Sequence, residues 1–219
     1  MIEIKKVFKK SGRQRILANI NLKIDEPFTV FLGKSGSGKT TLMQIIGALD
    51  DDFAGDVIID GQDLKKMSYK EKAYYRNKQI GFVFQDFQIE MTYTAFENVE
   101  LPLLLTDLTK EERGLIVNEA LKKVDMLRYH YKLCSQMSGG EVQRIAIARA
   151  IVNNPKYIFA DEPTGNLDTA NGNMIIGILQ DLVKQGKKVL MVTHNIEHIS
   201  YADRVITLSD GKVIKDESI

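Results

Sequence analysis

Hydrophobic positions recur along this chain with two different patterns. Near the N-terminus, Ile2 and Ile4, with Val7 behind them, alternate with charged residues, and Ile16 to Ile24 alternates again. A period of two buries one face and wets the other, so both stretches predict half-exposed β-strands. The polar run Lys9 to Arg15 predicts the turn between them, and Gly55 to Gly61 is a third strand bounded by glycines. These three read as an antiparallel group beside the core. Phe28–Leu32, Ile80–Phe84, Tyr157–Ala160, Lys188–Val192 and Arg204–Leu208 are apolar without alternation. That is the pattern of strands covered on both faces, as in a parallel sheet.

Between the buried strands the period lengthens to that of a helix. Thr41–Leu49, Ser68–Lys78 and Asp168–Gln185 predict helices, the last being the clearest. From Phe87 to Gln136 strand patterns vanish. Thr109 with Glu112 three residues on predicts a capped helix start, and Leu115, Val117, Ala120, Leu121, Val124 and Leu127 its apolar face. Ser209-Asp210-Gly211 predicts a hairpin with Lys212-Val213-Ile214. The fold class is therefore α/β. We expect one domain over 1–219, with an α/β core at 1–86 and 137–219, a mostly parallel sheet, an antiparallel β sub-domain, and a helical sub-domain at about 87–136. Ligand is expected at the strand C-ends.

Composition adds boundaries. At 219 residues, 44% hydrophobic and 27% charged, the chain can bury a substantial core. A net charge of +1 gives no reason to expect nucleic acid as a partner. The single cysteine, Cys134, cannot form an internal disulfide, which suggests a reducing compartment. The N-terminus reads as a strand rather than a signal peptide. No apolar run approaches the ~18–20 residues that span a bilayer, so any membrane role is expected to pass through a partner.

The chemistry centres on Gly33-Lys34-Ser35-Gly36-Ser37-Gly38-Lys39-Thr40, which fits G-x-x-x-x-G-K-[ST], the phosphate-binding loop (P-loop, or Walker A), between a buried strand and a helix. Glycines let the backbone curl until successive N–H groups point at one anion, and the helix dipole adds to that field. Lys39 would reach the β- and γ-phosphates of a nucleotide, with Thr41 beside it, and the Thr40 hydroxyl would bind Mg²⁺.

Three further constellations accompany the loop. The strand Tyr157–Ala160 runs into Asp161-Glu162. Successive strand side chains point to opposite sides, so the two acids would divide the work: Asp161 to Mg²⁺, Glu162 to the attacking water. Acids are common where strands meet loops, and it is the phosphate loop upstream that makes this pair informative. Ser138-Gly139-Gly140-Glu141 opens a helix as a capping box, and its two glycines also present a second anion site at a helix N-terminus. Two such helix starts mean either two anions or one anion shared between two chains. Finally, His194 follows the strand Val189–Val192, where it could hydrogen-bond a γ-phosphate oxygen or the attacking water. His198, four residues on, completes no metal triad, and His130 and Cys134 read as structural.

Taken together, the phosphate loop at 33–40, Gln85, Met137-Ser138-Gly139-Gly140-Glu141, Asp161-Glu162, Asn166-Leu167-Asp168 and His194 resemble, in order, the motifs of the nucleotide-binding subunit of an ATP-binding-cassette transporter. The resemblance covers nearly the whole chain, and the Ser-Gly-Gly helix is its specific part. It implies an ATPase that closes as a homodimer around two ATP. The loop of one copy (Gly33, Lys34, Ser35, Gly36, Ser37, Gly38, Lys39, Thr40) and Ser138, Gly139 and Gly140 of the other would grip the same γ-phosphate. Gln85 would contact Mg²⁺ and water, Asp168 would cross the dimer interface, and Glu162 and His194 would serve catalysis. An integral membrane permease would be the other partner, placing the chain in the cytoplasm against the inner face of a bacterial membrane. The helical insertion would carry the docking groove, with Phe87, Ile89, Met91, Tyr93 and Phe96 either lining it or packing the core.

Ile80-Gly81-Phe82-Val83-Phe84-Gln85, the run Glu97 to Leu103 and the run Asp161 to Asp168 resemble the macrolide-exporter, lipoprotein-release and bacteriocin-export branch. That implies export of a peptide, antibiotic or lipoprotein-like substrate. A regulatory cassette of the cell-division type is the alternative, and a non-transport cassette acting on DNA or ribosomes a more distant one. In one respect the chain departs from the family pattern: where relatives place an aromatic that stacks on adenine, it has Ser11, with Phe8, Arg13 and Arg15 nearby. Looser base selectivity is expected.

Overall fold

The computed structural model describes residues 1–219, which divide into two compact units, residues 1–76 with 188–219, and residues 77–187.

The first unit contains two sheets. One is antiparallel, with strand order β2-β1-β4-β5, built from β1 (Ile2–Ser11), β2 (Gln14–Ile24), β4 (Ala54–Ile59) and the short β5 (Gln62–Asp63). Ile2 and Ile4 face the core, opposite Ile24 and Leu22 of β2 and Ile59 and Val57 of β4. The expected polar turn at 9–15 is shorter than predicted. Both strands run on through the charges to pair Ser11 with Gln14, leaving only Gly12-Arg13 at the tip. Ladder bonds use the backbone, so charged side chains on a wet edge do not end a strand. Register shifts fall near Lys6, whose φ is +50°.

The other strands of this unit are β3 (Phe28–Leu32), β8 (Lys188–Thr193), β9 (Arg204–Ser209) and β10 (Lys212–Ser218). β3 pairs in parallel with both β8 and β9, and β10 pairs antiparallel with β9. Phe28, Val30, Phe31, Val189, Met191, Val192 and Ile206 are fully or nearly fully buried here. Each such side chain contributes about 1.5–3 kcal/mol relative to exposure. The hairpin predicted over 212–214 continues to Ser218 because Arg204 grips Asp216 through two nitrogens, at 2.7 and 2.8 Å, and also reaches Glu26 at 3.0 Å. Helix α1 (Lys39–Ile46) follows β3 and stops at Gly47, short of the predicted Leu49, because Ala48 turns left-handed with φ +55°. Helix α2 (Tyr69–Gln79) begins in this unit where the polar pattern placed it.

The second unit contains β6 (Ile80–Val83) and β7 (Tyr157–Asp161), a parallel pair, with helices α3 (Ala95–Glu100), α4 (Lys110–Lys123), α5 (Gly139–Ile151) and α6 (Thr169–Lys184). The capping box predicted at Thr109 and Glu112 is present, and Thr94 with Glu97 forms another. Along α4 the apolar face is narrower than predicted. Val117, Ala120 and Leu121 are buried, but Leu115 is 70% exposed, because two residues turn a helix by about 200° and put it opposite Val117. Leu127, beyond the end of α4 and in a 3₁₀ turn, is 37% exposed. In α6, Gly172, Ile175, Ile176, Leu179 and Leu182 make one continuous buried stripe. No helix in the chain is long and apolar enough to cross a membrane.

Candidate functional site

In the first unit β3 ends at Leu32, the chain turns through Gly33 to Gly38, and α1 begins at Lys39. Gly38 is the N-cap at φ +98°, and a Cβ there would lie 2.9 Å from the Ile16 carbonyl oxygen and 2.8 Å from Leu17 Cδ2. Only glycine fits that conformation and that approach. The Ser37 amide donates to the Lys34 carbonyl at 3.2 Å, and the Gly211 amide donates to the Ser37 carbonyl at 3.1 Å, tying the loop to the β9–β10 turn. Lys39 is 6% exposed, and its ammonium donates to the carbonyls of Gly33 at 2.7 Å and Lys34 at 2.9 Å. A buried cation is thus held inside the loop by the loop's own backbone.

The start of α1 differs from the other helix starts. Thr94, Thr109, Ser138 and Asp168 each accept a backbone N–H at the helices they open. Gly38 offers no side-chain cap, and the first turn of α1 contains no acid. The positive end of that helix is left available to an external anion. Ser37 Oγ is buried without a hydrogen-bond partner, a further polar group in the same loop. The loop therefore fits a phosphate group, with Lys34, Ser35, Gly36 and Thr40 exposed around it.

His194 belongs to this unit. It follows the last residue of β8, Thr193, and is exposed. Thr193 Oγ1 accepts the Asn195 amide at 3.0 Å and lies 3.1 Å from His198 Nδ1, so His194 sits inside a bracket of buried polar bonds. A cavity of about 520 Å³ has Gly33, Lys34, Ser35, His194 and Ile196 among its walls. The loop and the histidine, separate in the sequence, therefore meet.

In the second unit Asp161 is the last residue of β7. Glu162 is not on the strand: its φ is +46°, and its carbonyl accepts the Gly165 amide at 3.0 Å. The strand alternation expected to separate the two acids does not extend to Glu162. A left-handed turn sets its direction instead, and such a conformation in a non-glycine residue costs of order 1–3 kcal/mol. Gln85 is exposed two residues beyond β6, and Asn166 Nδ2 donates to its carbonyl at 2.9 Å.

Helix α5 opens with Ser138 and Gly139 exposed. Its capping box engages the amides of Ser138 and Glu141, and helix geometry gives the amides of Gly139 and Gly140 no intrahelical acceptor. A Cβ on Gly140 would lie 2.3 Å from Asn171 Oδ1. Asn171 in turn donates its amide and its side chain to Asp168, at 2.9 and 2.7 Å. The Asn171 amide, above all, holds the Asp168 carboxyl below the usual carboxylate range. The Ser-Gly-Gly start and the Asp168 cap are thus packed against each other.

Three residues that sequence reasoning passed over emerge here: Gln143 and Arg149 on α5, and Thr193. Gln143 and Arg149 are polar groups within a helix otherwise buried through Val142, Ile145, Ala146, Ile147 and Ala148; a polar residue in such a stripe was the available signal. His198 is accounted for by Thr193. Cys134 is buried and its sulfur accepts from the side-chain Nδ2 of Asn98 at 3.3 Å, its thiol pushed up by burial. No cluster of three potential metal ligands occurs among His, Cys, Asp and Glu. Of the expected groove residues, Met91 and Tyr93 are 43% and 42% exposed, and Phe87, Ile89 and Phe96 are half-buried.

Comparison with known proteins agrees with this geometry. A model of the ABC transporter family matches residues 17–165. An uncharacterised ABC transporter ATP-binding protein of Methanocaldococcus jannaschii is 45% identical, over 98% of each chain. The macrolide export ATP-binding/permease protein MacB of Chlorobaculum tepidum is 43% identical over 99% of this chain, which spans 34% of that protein's length. Among solved structures, a dimeric bacterial ABC transporter cassette superposes with a TM-score of 0.91 at 42% identity, covering 100% of this chain and 98% of that one. A dimeric, post-hydrolysis cassette bound to ADP and phosphate gives 0.91 at 41%, with the same coverage. The chain belongs to the ABC transporter family, as an ATP-binding cassette with ATPase activity.

Proposed function

We propose that this cassette is the motor of an exporter, closing as a homodimer around two ATP and driving a separate membrane permease from the cytoplasmic face. The observation that carries the homodimer is the pair of helix starts described above. The uncapped start of α1 with Lys39, and the exposed Ser138-Gly139 start of α5, are both built to receive phosphate oxygens, and sharing one nucleotide between two copies uses both. The macrolide-export relatives point to export of a peptide, antibiotic or lipoprotein-like substrate. A regulatory cassette of the cell-division type would use the same residues, and identification of the permease separates the two.

In this reading the loop amides of 33–40, with Thr41, bind the phosphates, and Lys39 neutralises charge that spreads over the γ-phosphoryl oxygens during transfer. Glu162 orients the attacking water and accepts its proton; His194 hydrogen-bonds the γ-phosphate or that water. Thr40, Asp161 and Gln85 offer hydroxyl, carboxylate and amide oxygens, the hard ligands that suit Mg²⁺. Mg²⁺, when bound there, would neutralise charge on the nucleotide's phosphates. Ser138, Gly139, Gly140 and Asp168 form the face offered to the second copy. The helical segment 87–136 is the part of the single cassette domain that meets the permease.

The test is Glu162→Gln. This substitution should preserve ATP binding, stop turnover, and convert the chain to an ATP-dependent dimer on size exclusion. Wild-type turnover would remove Glu162 from the reaction. Purifying that trapped dimer from solubilised membranes should bring the permease with it.

A further inference from the structure

Beyond Val83 the chain leaves β6, and its carbonyls lose the ladder partners a strand provides. Carbonyls outside a ladder take their donors from side chains or water. Four carbonyls around Gln85 find side chains. Gln143 Nε2 lies 3.4 Å from the Phe84 carbonyl, and Asn166 Nδ2 lies 2.9 Å from that of Gln85. Arg149 donates to Phe87 at 3.1 Å and to Gln88 at 2.5 Å. Phe87 and Gln88 both have positive φ, +62° and +48°, so this guanidinium holds a strained turn.

Gln143 is the member with two loyalties. The same Nε2 donates to the Pro163 carbonyl at 2.7 Å, one residue past Glu162. One wholly buried amide therefore joins the segment carrying Gln85 to the turn carrying Glu162. These partners are 59 and 20 residues away in sequence. The two segments also touch directly: a Cβ on Gly165 would lie 2.9 Å from Gln85 Nε2.

The cost of this arrangement argues for its purpose. Gln143 Oε1 is buried with no hydrogen-bond partner. An unpaired buried acceptor costs about 1–3 kcal/mol, and a leucine or methionine would fill a similar volume without it. Turning the amide over gives no relief, since Oε1 would then face two carbonyl oxygens. The side chain serves its N–H donors. We infer that Gln143 is a positioning residue for ATP hydrolysis, holding the Gln85 segment and the Glu162 turn in fixed register from the Ser-Gly-Gly helix.

This inference rests on the roles proposed for Glu162 and Gln85. The hydrogen bonds of Gln143 go to the Phe84 and Pro163 carbonyls, so it should act on turnover and leave ATP affinity alone. A misplacement of about 1 Å in a water-orienting group costs up to about 100-fold in rate. The experiment compares Gln143→Leu and Gln143→Met with wild type and Glu162→Gln, measuring kcat, KM and ATP binding by thermal shift on chains shown to be folded. Gln143→Leu and Gln143→Met both fill the space without donors. The expected result is kcat down about 10- to 100-fold in both, with KM and the ATP-induced thermal shift unchanged. Gln143→Asn, which keeps the amide, should recover part of the loss. Wild-type kcat in either donor-less variant, or a loss confined to KM, overturns the inference while a dead Glu162→Gln leaves the Glu162 assignment intact. Wild-type turnover in Glu162→Gln overturns both.

Discussion

Thr193 and His198 face each other across the turn that carries His194, Oγ1 to Nδ1 at 3.1 Å, and both are buried. The threonine hydroxyl also receives the Asn195 amide, so one group before His194 ties down two residues after it. Thr193→Val keeps the shape and removes both bonds, leaving a ring nitrogen and an amide short of a partner. Such losses cost about 1–3 kcal/mol. Urea unfolding should show that decrease, turnover should fall with it, and Thr193→Ser should restore most of both.

Gly140 and Asn171 make a steric prediction. An added Cβ would overlap Asn171 Oδ1 at 2.3 Å and the Asn171 Cβ at 3.1 Å, while Asn171 is pinned by Asp168. Gly140→Ala should destabilise by about 1–3 kcal/mol, the usual cost of overpacking. Asn171→Ala in the same chain should return most of the stability by clearing the space. If the two substitutions simply add in thermal denaturation, the contact does not exist in solution.

Much of this architecture was legible because it rests on local rules. The run Phe28–Leu32, the glycine-spaced loop and the following helix are contiguous, and a capping box needs only a Ser or Thr and a Glu three residues apart. What escaped were relationships with no local signature. Glu162 could not be read as left-handed, since strand alternation gives no sign of where the strand stops. Gln143 looked like one more residue of a capped helix; its partners Phe84 and Pro163 come from two other loops. Leu115 matched an apolar pattern by composition while lying on the opposite side of α4.

The capping box of α5 gives a pH dependence. The Ser138 amide, above all, holds the Glu141 carboxyl below its ordinary value, with Lys132 assisting from 3.6 Å. A carboxyl depressed in the folded state contributes stability that is present above its unfolded pKa, and that is lost as pH falls through the folded one. The loss therefore falls in the acid range below the ordinary glutamate value. Glu141→Gln keeps an acceptor for the Ser138 amide without titrating. Hydrogen exchange at the start of α5 should rise on acidification in wild type, and the Glu141→Gln profile should be flatter over that range.

The tip of the β1–β2 hairpin tests base selectivity. Ser11 pairs with Gln14, leaving Gly12 and Arg13 at the turn, and the nearest upstream aromatic, Phe8, is paired with Ala54 three residues back. Phe8 is 40% exposed, but its register places it on the part of β1 that faces β4, away from the tip. If the base is met at the tip, as the family resemblance implies, no aromatic ring is available there to stack on it. Stacking on an aromatic ring is worth about 1–3 kcal/mol per base, so its loss leaves the phosphates dominating affinity. Wild type should bind inosine triphosphate about as tightly as ATP. Ser11→Tyr should tighten ATP by about 5- to 100-fold, the equivalent of that stacking energy, with turnover at saturation little changed. A strong preference for ATP in wild type, or no gain from the tyrosine, would mean that the base is held by other contacts, with Arg13 and Arg15 the next side chains to replace.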